Sequence, residues 1–268
     1  MTVALSLAGP VGRALGRSVA RSTGGVSPPP PLWTPTALGS ALALWLDADD
    51  AATITLNGST VSQCNDKSGN NRHAFQATAA NQPTYTPSGL NGKPVITFDG
   101  VNDFLSSLGW SGLISGLSGL TVSAVIRGTF GSLINTAGNG GSQFSIESGG
   151  AFWINTTTPI NIPFTANADI QNYTFDAGIR QAHRNGTLLQ QTTAAPNTIN
   201  TASDSIIDIG RRSWVPQFLN ANVSELLLIR AALSTTDRQR LEGYLAHKWG
   251  LEANLPAGHP FKSLPPTV

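Results

Sequence analysis

Between Leu38 and about Arg230 the chain is written in short runs of two-residue period, broken by Gly, Asn and Asp, and no stretch keeps a helical period for long. A period of two gives a strand one apolar and one polar face, so this pattern restricts the fold to antiparallel sheet. In "LTVSAVIR" (residues 120–127), Leu120, Val122, Ala124 and Ile126 alternate with Thr121, Ser123, Val125 and Arg127. "QFSIESGGAFWIN" (143–155) reads as two short strands about Ser148, Gly149 and Gly150. Asn185 and Gly186 within "RQAHRNGTLLQQ" form the pair that favours a type I′ hairpin. "SDSIIDIG" (203–210) and "NVSELLLIRAAL" (222–233) supply later strands, and a sandwich of two antiparallel sheets is expected.

The period changes once, near the C-terminal end. In "LSTTDRQRLEGYLAHKWGL" (233–251), Ser234 is an N-cap with Asp237 three positions on, and Leu241, Tyr244, Leu245 and Trp249 share a face. Gly250 supplies the stop, so one amphipathic helix over about 234–249 is expected to pack on the sheets. The prolines of "LPAGHPFKSLPPTV" do not let it continue.

Residues 1–32 differ from the rest. Val3, Leu5 and Leu7 alternate as in a short strand, while Val11, Leu15 and Val19 recur at helical spacing beside Arg13, Arg17 and Arg21, with no acid in the segment. This reads as an arm that orders against a partner, joined by the stiff linker "SPPPPLWTP" (27–35) to a single large domain over 33–268. The opening residues have no basic residue before their apolar part and Pro10 interrupts them, a poor fit to a secretory signal. No apolar stretch has the length of a membrane span.

Composition narrows the function classes. Hydrophobic residues make up 40% of the chain, enough for a sizeable core, but charged residues only 12%, about half the usual share. The surface is therefore built largely from Ser, Thr, Asn and Gln, as in extracellular and virion β-proteins. A formal net charge of +1 gives no field for steering toward nucleic acid or anionic lipid. Cys64 is the sole cysteine, so no intrachain disulfide forms and stability comes from packing.

Four phrases together carry a resemblance: "ALALWLDADDAATITLNGSTVSQCNDKSGNNRHAFQ", "QPTYTPSGLNGKPVITFDGVNDFL", "HRNGTLL" and "ALSTTDRQRLEGYLAHKWGL". Over about residues 42–251 the chain resembles the concanavalin A-like, laminin-G-like jelly-roll domains of bacteriophage virion proteins and bacterial surface proteins. Cys64 stands where such sequences usually carry Trp. The resemblance implies two packed antiparallel sheets, a calcium site in many members, and sugar or protein ligands at loops or on the concave face. With the arm and linker, it implies a phage head decoration protein, head fibre or tail adhesin. Such a protein is located in the virion, anchored to capsid or tail proteins by Val3, Leu5, Leu7, Arg13, Arg17 and Arg21. Several copies are expected to meet at symmetric positions. A pure cement protein without sugar binding and a bacterial surface adhesin are the alternatives.

Two groups of residues in the domain are candidate sites. Asp99, Asn102 and Asp103, in the Asp-Gly turn after "KPVITF", supply part of the oxygen set a calcium ion needs, and are also the residues a tight turn uses. Asn70 and Arg72 in the polar loop "NDKSGNNRH", with Trp110, Trp153 and Trp214 beside Gly, Ser or Asn, are candidates to bind host surface glycans. Trp45 and Trp249 lie in apolar patterns and read as core. Asp47, Asp49 and Asp50 fail the calcium-loop spacing and read as a capped turn. No catalytic set is found: Glu147, Glu225, Glu242 and Glu252 lack the alternate-residue carboxylates of glycosidases on this fold, and the four histidines are scattered.

Overall fold

The computed structural model describes residues 1, 29–136, 144–147, 149–155, 158–193, 196–200, 205–213, 215 and 217–268. The chain divides into two compact units, Met1–Pro30 and Pro31–Val268. The expected anchoring residues Val3, Leu5, Leu7, Arg13, Arg17 and Arg21 lie outside the described residues.

In the second unit the two-period runs become strands. The first eight are β1 (Leu42–Asp47), β2 (Ile54–Asn57), β3 (Thr60–Cys64), β4 (Ala74–Phe75), β5 (Thr84–Leu90), β6 (Lys93–Asp99), β7 (Leu105–Leu108) and β8 (Gly119–Phe130). They are followed by β9 (Ile134–Thr136), β10 (Phe144–Glu147), β11 (Ala151–Ile154), β12 (Ile160–Asn161), β13 (Asp169–Asp176), β14 (Ile179–Arg184) and β15 (Thr187–Thr192). The last are β16 (Ile206–Ile209), β17 (Arg211–Arg212), β18 (Gln217–Phe218) and β19 (Asn220–Ile229), before the helix α1 (Thr235–Trp249).

Among the described residues every strand pairing is antiparallel. One series of ladders runs β1–β19–β8–β13–β14–β15. A second runs β3–β4–β7–β16–β9–β10–β11–β12, with β2 beside β3. The two series are not separate sheets. β19 shifts register between Val223 and Glu225, so its first half pairs with β6 and its second half with β1. β6 pairs with β5, and Thr84 of β5 meets Thr60 of β3. Seventeen strands thus form one continuous, nearly barrel-like antiparallel sheet, while β17 and β18 pair only with each other.

The alternation in β8 places Leu120, Val122, Ala124 and Ile126 in the core between the two series, with Leu44, Phe98, Leu105, Phe144, Phe152 and Ile207. Its other face is not solvated. Thr121, Ser123 and Val125 are buried too, because α1 covers that side with Leu241, Leu245 and Trp249. The helix has the expected ends: Ser234 Oγ accepts from the Asp237 amide at 3.1 Å, and Gly250 closes it in the left-handed conformation at φ 66°.

A buried ionic knot ties α1 to the sheet. Both oxygens of Glu225 accept indole N–H groups, from Trp45 at 2.6 Å and Trp249 at 2.7 Å, and Lys248 Nζ lies 2.8 Å away. Lys248 also reaches Asp47 at 2.6 Å, as Lys67 does at 2.7 Å. Trp45 and Trp249 are therefore core residues, as expected, but polar-anchored ones.

Candidate functional site

The polar loop around residues 65–73 is a structural plug. Asp66 accepts the amides of Trp45, Ser68 and Arg72. Asn70 Nδ2 donates to the Leu42 carbonyl at 2.9 Å and Arg72 Nη1 to the Ala43 carbonyl at 3.0 Å. These bonds cap the free edge of β1, so Asn70 and Arg72 are engaged by backbone carbonyls. Trp110 is not an exposed platform either: it is 1% exposed, donates to Ser107 Oγ, and the Arg72 guanidinium covers its ring.

Asp99, Asn102 and Asp103 make a turn. Asp99 Oδ1 accepts the amides of Val101 and Asn102, and Asp103 Oδ2 accepts the amide of Asp99. Those bonds occupy oxygens that a calcium ion would need. Burial, together with the neighbouring Asp99, raises the Asp103 carboxyl to about 6. Asp49, Asp50 and Asp47 are likewise paired, with Lys93 and Lys67. Among the described residues no group of three or more His, Cys, Asp or Glu is placed to hold a metal ion.

Trp214 lies outside the described residues. Trp153 remains, and it stands in a distinctive place. On β11, Phe152 and Ile154 enter the core, so Trp153 points to the opposite face, where it is half-buried. Its cross-strand neighbour on β10 is Ser145, whose neighbour on β9 is Asn135. Asn135 faces Asp208 on β16, which faces Ser106 on β7, Phe75 on β4 and Gln63 on β3 in turn. Seven strands thus contribute one residue each to a single row on the face away from the core.

The row carries an unusual set of polar atoms. Trp153 Nε1, Ser145 Oγ and Asn135 Oδ1 are all buried without a hydrogen-bond partner, although buried polar groups are normally paired. Asp208 is buried, accepting from Ser106 Oγ at 2.6 Å and from Arg211 Nε at 2.8 Å. Glu147, two residues along β10 from Ser145, faces Arg212 Nε at 3.0 Å. Burial pushes the Glu147 carboxyl up, and Arg212 pulls it back. The short pair β17–β18 lies against this face: Asn135 Nδ2 donates to the Arg211 carbonyl, and the Arg211 guanidinium stacks on Phe104 at 3.5 Å. Gly131, at φ 108°, lets that pair approach, since a Cβ there would run into the Phe218 carbonyl.

Of the residues singled out in the sequence, Trp153 lies in this row; Ser106, Asn135, Ser145 and Asp208 were not singled out. Each reads alone as an ordinary outward polar position in a strand. What unites them is register between strands far apart in the chain, and the available signal was weak: uncharged or singly acidic residues alternating with Ile and Phe.

No family model matches the sequence, and no curated protein matches it. Solved structures do. Domain 4 of AbnA, an extracellular GH43 arabinanase from Geobacillus stearothermophilus in complex with arabinotriose, aligns with a TM-score of 0.54 at 16% identity, over 75% of this chain and 98% of that one. What is shared is the fold. Trypanosoma rangeli sialidase in complex with sialic acid aligns at 0.51 and 14% identity over 78% of this chain, which spans 33% of the sialidase chain. A botulinum neurotoxin type C structure, described for cell entry through two ganglioside molecules, aligns at 0.53 and 12% identity, over 79% of this chain and 53% of its own.

Proposed function

We propose that residues 33–268 form a carbohydrate-binding domain whose ligand lies on the outward row at its Trp153 end. The observation that carries this reading is the adjacent set of buried, unpartnered atoms, Trp153 Nε1, Ser145 Oγ and Asn135 Oδ1. A sugar offers hydroxyls that both donate and accept, and an apolar ring face for the half-buried indole. The fold neighbours support it: AbnA domain 4 holds arabinotriose, the sialidase holds sialic acid, and the neurotoxin interacts with gangliosides. Isothermal titration of the full chain against oligosaccharides chosen from a glycan array tests it. Trp153→Ala is expected to weaken binding about tenfold or more, equivalent to about 1.4 kcal/mol, with an unchanged circular dichroism spectrum. Wild-type affinity in that variant would sink the reading.

On this reading the continuous sheet is a jelly roll, its two packed layers being the β1-to-β15 and β3-to-β12 series joined through β5 and β6. The domain binds without cleaving. Asp208 and Glu147, the carboxylates beside the row, are each held by an arginine.

The proposed setting is a bacteriophage particle, with the domain displayed outward and residues 1–32 attached to capsid or tail proteins. The sequence resemblance, the arginine-bearing arm and the proline-rich linker support it. Several copies at symmetric positions would present several sugar sites together, which raises avidity for a host surface without any new contact.

A further inference from the structure

We infer that the row on the outward face selects a neutral oligosaccharide and rejects an anionic one, an inference that rests on the carbohydrate-binding reading above. The solved structures it resembles do not decide this, since arabinotriose is neutral and sialic acid carries a carboxylate. The chemistry of the row does.

An anionic sugar needs a cation whose charge is not already committed. Among the described residues two guanidiniums border the row and both have carboxylates: Arg211 lies 2.8 Å from Asp208 and Arg212 lies 3.0 Å from Glu147. Arg211 is held further by its stacking on Phe104. Two acids against two bases leave the cluster electroneutral. Asp208 and Glu147 are 0% and 2% exposed, so water screens little of any charge brought beside them. A ligand carboxylate would have to break one of these pairs and leave a buried aspartate or glutamate without its partner, which is strongly unfavourable.

The pattern of hydrogen-bonding groups points the same way. In register order, Trp153 Nε1 can only donate, Ser145 Oγ can do either, and Asn135 Oδ1, an amide oxygen, can only accept, while one hydrogen of its amide nitrogen goes to the Arg211 carbonyl. Asp208, next in the row, is an acceptor whose two oxygens already take one donor each. A carboxylate could accept from the indole and the Ser145 hydroxyl, but it has no hydrogen for Asn135 Oδ1 and would meet it and Asp208 acceptor to acceptor. Neighbouring hydroxyls can accept from the indole and donate to the amide oxygen. Like groups facing each other reject the wrong ligand as effectively as matched ones hold the right one.

The test is direct titration of the full chain with matched pairs of oligosaccharides, each neutral and in a form ending in a uronic or sialic acid. The neutral form is expected to bind at least about tenfold more tightly, with an affinity that stays flat between about 0.05 and 0.5 M salt. Asp208→Asn, which removes the carboxylate facing Arg211, is expected to raise the acidic-to-neutral affinity ratio about tenfold. If that variant does not fold, the wild-type preference and its salt dependence decide alone. Equal or tighter binding of the acidic form, weakening as salt rises, would overturn the inference and leave the carbohydrate site standing. Binding of neither form overturns both.

Discussion

At the scale of single residues, two buried titratable groups work against each other. Asp103 is raised to about 6 in the fold by burial and by Asp99, above its ordinary value of 3.8. The native state therefore holds a proton that the unfolded state has lost, so Asp103 lowers stability above about pH 6 and the penalty fades as pH falls toward 4. His183 has the opposite sign. Burial depresses it to about 4, so the unfolded chain binds the extra proton between there and the ordinary 6.5, and stability is lost as pH falls through that window. Asp103→Asn keeps an acceptor for the Asp99 amide and removes the ionisation. Its melting temperature should exceed the wild type by a few degrees at pH 8 and match it at pH 4; an offset independent of pH would refute this. Residue roles were only partly legible. Trp45 and Trp249 sit in apolar periods and were readable as core, whereas Trp110, beside Gly109 and Ser111, looked exposed and is buried by Arg72, thirty-eight positions earlier in the chain.

At the scale of elements, the helix was readable to its caps because cap signals are local: Ser234, Asp237 and Gly250 all act within a turn of the helix end. What the pattern did not show is how tightly its far side is pressed by the C-terminal tail. Gly243 is buried against Phe261, and a Cβ there would collide with the base of the Phe261 side chain. Gly243→Ala should gain about 1 kcal/mol in helix propensity, yet overpacking of this kind costs about 1–3 kcal/mol. A net fall in melting temperature is expected; a rise would show that the tail yields freely. Strand existence was equally readable from alternation, but the pairing of β17 with β18 was not. Two residues on each side give no period, and the pair is held by Asn135 and by the room at Gly131. The row beneath it was illegible for the same reason, since register joins strands that are distant in sequence.

At the scale of the whole molecule, composition and period were enough for an all-β, antiparallel domain with one C-terminal helix. They were not enough for the continuity of the sheet, which rests on β19 pairing with β6 as well as β1 and on the pairings of β6 with β5 and of β5 with β3. The separation of Met1–Pro30 from Pro31–Val268 gives a prediction for the arm. Deleting residues 1–32 should leave the melting temperature of the remaining domain within about 2–4 °C, because among the described residues the deletion removes one isolated strand pairing. The same deletion should abolish incorporation into phage particles, and normal incorporation would end the anchoring proposal. That strand pairing has a further consequence. Leu32 bridges Thr267, the Trp33 amide donates to the Pro266 carbonyl, and the Val268 amide donates to the Pro31 carbonyl. The domain's two ends therefore lie side by side, the arrangement that circular permutation requires. A short loop could close them and new ends could be opened at another turn, moving the tether to a different side of the domain and letting orientation be varied while the proposed ligand row stays constant.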